Sequence, residues 1–89
     1  MTVFHLAIGF KDKPVEASTV QDTFPSAAGW ARYAPNCWII STSATATTIA
    51  EGVRKVCKDT DNIFIAAVNL QDRDGYLQQE IWDWIKKNQ

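Results

Sequence analysis

The chemistry this sequence could carry rests on one carboxylate between two cations, one histidine and one aromatic group. Asp12 stands between Lys11 and Lys13. A carboxylate at a strand end can help hold Mg²⁺ or Mn²⁺, which favour oxygen ligands and water, if a second copy brings a matching carboxylate across a dimer axis. The flanking lysines weaken such a site and suit phosphate instead, and a solvated aspartate is the simpler account. His5 is the only histidine. A general base or metal ligand needs partners, and no aspartate or cysteine is near it in the chain, so a half-buried or interface position is expected. Trp30, Arg32, Tyr33 and Trp38 are the one cluster with the means to stack on bases. RNP-type basic and aromatic motifs are absent, so core packing or a protein interface is the expectation.

Other candidates resolve into structure. Asp72-Arg73-Asp74-Gly75 has part of a calcium loop's composition but lacks its spaced ligands and closing glutamate, and reads as a turn. Glu80, Asp83 and Lys86 follow at intervals of three, the spacing of ordinary charge pairing on a helix surface. Cys37 and Cys57 fit neither a zinc knuckle nor a CxxC pair, and are expected as buried structural thiols. No glycine-rich phosphate loop, Ser–His–Asp set or metal-spaced His/Cys set is present, so no cofactor or resident metal is expected.

The elements that position these residues follow from periodicity. Residues 3–10 place Phe4, Leu6, Ile8 and Phe10 on one side of a strand and Val3, His5, Ala7 and Gly9 on the other. In residues 15–28, Val20, Phe24, Ala27 and Ala28 have helical spacing, with Ser18 and Thr19 as N-cap candidates, but Pro25 interrupts it. A short or broken helix is expected there. Residues 29–33 and 37–43 flank a Pro-Asn turn as a hairpin. Residues 45–58 predict a helix with Ile49, Val53, Val56 and Cys57 on its apolar stripe, capped by a Thr48–Glu51 box or by Ser43 or Thr45. Gly52 suggests a close approach to the sheet. Residues 63–70 are nearly all apolar, which predicts a central strand. A last helix over 78–87 carries Leu77, Ile81, Trp84 and Ile85 on one stripe, with Trp82 off it.

This order predicts a single α+β domain over residues 1–89. Its expected form is a ferredoxin-like βαββαβ sandwich with a weak or broken first helix and an added C-terminal helix. The helices belong on one sheet face. The other face is solvated, covered by the last helix or used for dimerisation.

Composition supports a packed core, with 46% apolar residues and four tryptophans in the chain. The net charge of −1 argues against broad binding to nucleic acid or anionic membrane. The apolar runs fall well short of the roughly 20 residues that span a bilayer, and Met1–His5 lacks a basic leader segment. A cytoplasmic location is expected.

The run GWARYAPNCWIISTS, the capped helix after it, DNIFIAAVNL and the closing IWDWIKKN together resemble the small CRISPR adaptation endonucleases and their SinR-like and VapD-like relatives. The resemblance covers residues 29–88 and is carried by Trp30, Trp38, Trp82 and Trp84. It implies a ferredoxin-like protomer that pairs as a homodimer. It also implies, for some members, metal-dependent cleavage of RNA or DNA by an aspartate at the end of the first strand. Phe10 occupies the position nearest that aspartate, and Asp12 follows two residues later. That departure counts against nuclease activity.

The function expected from the sequence is therefore a non-catalytic protein-interaction domain, homodimeric, with Trp30, Arg32, Trp38 and above all Trp82 as contact residues. A second protein partner, such as a host defence or regulatory complex engaged by a phage or mobile-element protein, fits the small size and lack of catalytic motifs. The alternative is a metal-dependent nuclease using Asp12 with Mg²⁺ or Mn²⁺.

Overall fold

A computed structural model describes all 89 residues. Its elements are β1 (Thr2–Gly9), α1 (Ala17–Gln21), β2 (Gly29–Ala34), β3 (Cys37–Thr42), α2 (Ala46–Arg54), β4 (Asn62–Ala67) and α3 (Gln79–Asn88). The strands form one antiparallel sheet in the order β2-β3-β1-β4. No helix is long and apolar enough to cross a membrane.

The alternation read in β1 sets the two layers. Phe4, Leu6 and Ile8 are buried on one face with Trp38 and Ile40 of β3, beneath Val20 of α1 and Ile49 and Val53 of α2. On the opposite face Ala31 and Ile39 pack against Ile81 and Ile85 of α3. The helices therefore occupy both faces. An apolar stripe on a helix needs a cover, and with α1 and α2 filling the first face only the second remained for α3.

The segment before β2 is held by packing more than by helix. α1 is five residues long, and its N-cap is Glu16, with no side-chain cap bond. The expected caps Ser18 and Thr19 lie inside it, because the helix starts at Ala17. Phe24 anchors the rest of the segment, its ring edge-on to Trp38 and Trp30 with centroids 6.2 Å apart in both pairs. Pro25 falls beyond the helix, where its missing N–H costs no ladder bond.

In α2 the cap is Thr45, whose side chain accepts the Thr48 backbone N–H at 3.2 Å. The helix stops at Arg54, four residues before the expected end. Arg54 instead gathers the following turn, donating to the carbonyls of Lys58 and Asp59 at 3.3 and 3.2 Å. Gly52 does mark a close approach, though not to the sheet. A Cβ there would lie 3.1 Å from the Thr23 carbonyl oxygen, so the glycine lets α2 sit against the turn after α1.

The largest correction concerns β4. Its apolar run was expected to be central, yet β4 pairs only with β1 and forms an edge of the sheet. Ile63 and Ile65 pack into the first core, which accounts for half of its hydrophobic pattern. The other half, led by Phe64 at 67% exposure, faces outward with nothing over it.

Candidate interaction surface and its neighbouring cavity

The second sheet face is covered unevenly. α3 lies over β2 and β3, and the β1–β4 half stays open. The register places Ala7 beside Phe64 and His5 beside Ala66, so these four share the open half. Phe64 and Val68 are exposed there, and Tyr33 is exposed nearby. Small side chains around a large exposed ring make a shallow apolar surface of the kind used in protein contacts.

Where the open half meets α3, a cavity of about 300 Å³ is lined by His5, Tyr33, Ile39, Leu77, Trp82 and Ile85. Arg73 closes one side, donating to the Leu70 carbonyl at 2.8 Å and to the Gln89 side chain. On its floor His5 Nε2 and the Tyr33 hydroxyl are 2.5 Å apart. Burial pushes the Tyr33 hydroxyl above its ordinary pKa, with the nearby Cys37 thiol adding to the rise, so the phenol keeps its proton. A neutral imidazole shares this bond with the phenol, its tautomer setting which atom donates. Burial also holds the imidazole below its ordinary 6.5, which favours the same neutral form. Nε2, one of the two ring nitrogens, is thus engaged with the phenol.

This arrangement predicts a pH effect with a definite sign. The folded chain disfavours the imidazolium, so stability is complete above the unfolded histidine's pKa and declines as pH falls below it. An NMR titration should give an imidazole midpoint below 6.5. A midpoint at or above the free value in the unmodified chain would contradict this placement.

The residues singled out in the sequence are dispersed. Trp38 is 1% exposed in the first core, with its indole N–H donated to Gln21 Oε1 at 3.1 Å, so it serves packing and presents no contact surface. Trp30 keeps a partly exposed edge beside Phe24. Arg32 is exposed at the β2 edge, its Nε donating to the Pro35 carbonyl at 3.1 Å. Trp82 is half-buried against the Ile81–Ile85 cluster, because it turns toward the cavity wall and not outward. Asp12 is exposed in the bend after β1. No group of three or more His, Cys, Asp or Glu side chains is placed to hold a metal ion.

Two residues that the sequence reading passed over are better defined. Asp61, in the turn between α2 and β4, is buried and accepts the backbone N–H groups of Lys58 at 2.9 Å and Lys11 at 3.1 Å. These bonds hold its carboxyl below the usual range and tie the end of β1 to the start of β4. Phe64 was hidden in an apolar run; its signal was an aromatic ring in a strand with one face already spoken for. Cys37 and Cys57 are free and half-buried, and burial raises the Cys57 thiol, which stays protonated at neutral pH.

Compared with protein-family models, curated proteins and solved structures, the chain finds no significant match.

Proposed function

We propose that this chain is a non-catalytic protein-interaction domain whose first partner is a second copy of itself. The observation that carries the reading is the open β1–β4 half of the second sheet face, where Phe64 and Val68 are exposed beside Ala7 and Ala66. An apolar surface on a sheet whose other face is fully packed is costly to leave in water. The scaffold we propose is the ferredoxin-like one. It is supported by the order β2-β3-β1-β4 and by two β–α–β connections whose helices pack on the same face. A further partner, of the host defence or regulatory kind, would use whatever part of the open face self-association leaves free.

The nuclease reading depends on Asp12 meeting a second carboxylate and a divalent cation. Its position, exposed between two lysines, favours solvation. The discriminating assay incubates labelled RNA and DNA with the full chain and Mg²⁺ or Mn²⁺, beside Asp12→Ala and an EDTA control. The expected result is no cleavage, with association detectable by sedimentation of the same sample. Cleavage lost in both controls would move the function to a metal-dependent nuclease.

A further inference from the structure

β4 combines the composition of a buried strand with the position of an edge. From Asn62 to Gln71 there is no charged residue and no proline. Exposed edges of this kind pair with other strands, and proteins normally blunt them with charges, prolines or bulges. The opposite edge of this sheet is so protected: β2 carries Arg32 and an irregularity between Arg32 and Ala34. β4 has neither.

The backbone shows which groups are free. The Val68 N–H donates to the Val3 carbonyl at 2.9 Å. In an antiparallel ladder alternate residues direct both backbone groups to the same neighbour. Residues 64, 66 and 68 therefore address β1, and Ile63, Ile65 and Ala67 present their N–H and C=O groups at the open edge.

We infer that two copies of this chain join through their β4 strands, antiparallel, about a two-fold axis at Ile65, to make one sheet shared by both protomers. This rests on the reading of the chain as self-associating, and names the surface and register. With the axis at Ile65, Ile63 bonds to the partner's Ala67, Ile65 to the partner's Ile65 and Ala67 to the partner's Ile63. All three free residues are then satisfied within the strand. An axis at Phe64 would pair Ala67 with the partner's Asp61, whose N–H is already committed to the Lys58 carbonyl at 3.0 Å. An axis at Ala66 would need Asn69, which lies outside the strand.

Side chains fit the same register. Phe64 comes to lie opposite the partner's Ala66, at a position without direct hydrogen bonds where Cα atoms approach to about 4.5 Å. A large ring against a methyl group packs where two rings face to face would crowd. Beside β4 the groove against α2 is lined by Glu51, Asp59 and Asp61 together with Arg54 and Lys55, so both signs of charge face the mate. Main-chain bonds supply the affinity and the Phe64–Ala66 pair the register.

The test is sedimentation of the full chain over a concentration series, with Phe64→Lys alongside and circular dichroism as the folding control. The unmodified chain should show a concentration-dependent dimer and Phe64→Lys a folded monomer. In a Cys37→Ser, Cys57→Ser background, the Phe64→Cys, Ala66→Cys double variant should oxidise to a covalent dimer, and Phe64→Cys alone should not. A dimer that survives Phe64→Lys unchanged would overturn the β4 interface but leave self-association standing. Cross-linking by Phe64→Cys alone would overturn the register. An unmodified chain that stays monomeric at its highest attainable concentration would overturn both this inference and the reading it rests on.

Discussion

Alanine in place of Trp38 should remove about 3–5 kcal/mol of stability, the usual cost of truncating a buried large aromatic. A domain of this kind has about 5–15 kcal/mol in total, so the variant is expected to be partly unfolded at room temperature. Three losses combine at this position. The ring is 1% exposed, so its removal leaves a cavity between the sheet and α1 that the rigid strands cannot fill. Phe24 loses the edge-on contact that pins the segment after α1. Gln21 Oε1 loses the indole donor it accepts at 3.1 Å. Urea unfolding of Trp38→Ala and Trp38→Phe checks the account. Phenylalanine restores most of the volume but not the hydrogen bond, so its loss should be clearly the smaller. A cost below about 1 kcal/mol for alanine would mean that Trp38 does not organise the first core.

The second large effect concerns α3. Ile85 is 3% exposed and packs with Ile81 on Ala31 and Ile39. Ile85→Asp would place a carboxylate in that cluster with no partner, and the helix should leave the sheet before it buries the charge. The loss is then limited to the docking of α3, about 3–6 kcal/mol for two isoleucines at the usual value of each buried aliphatic side chain. The first core lies across the sheet and shares none of these residues. Hydrogen exchange should therefore show α3 and the 69–78 loop losing protection, with β1 and β3 amides retaining theirs. Uniform loss across the sheet would show instead that both faces open as one unit. Trp82 belongs to this second cluster, so Trp82→Ala should loosen α3 as well as alter any surface it helps to form.

Most of the element order was legible because period-two and helical spacings report local burial directly. Phe4, Leu6 and Ile8 read correctly as one face of β1, and Ile81 and Ile85 as the buried stripe of the last helix. The hairpin across Pro35–Asn36 was legible from turn chemistry. Helix ends were less so. Ser18 and Thr19 have cap-forming side chains but fall within α1, and Arg54 ends α2 by capturing the next turn, a contact that spacing does not encode.

Among the site residues the division is sharper. Trp30, Trp38 and Trp82 are equally conspicuous in the sequence. Their exposures differ because one faces α1, one borders Phe24 at an edge strand and one leans over a cavity. Asp61 became a tie between β1 and β4 only because the fold brings Lys11 and Lys58 to its two oxygens.

By itself, then, the sequence determined the alternating strands, the amphipathic helices and the near-neutral surface, since these depend on neighbours a few residues apart. The tertiary structure alone decided that an apolar strand lies at the edge of the sheet, and that α3 covers only half of the second face. Strand order is set by which long-range pairings together bury the most apolar surface, and no local pattern records it. That decision is what leaves Phe64 and the outward backbone of β4 without a partner in the single chain.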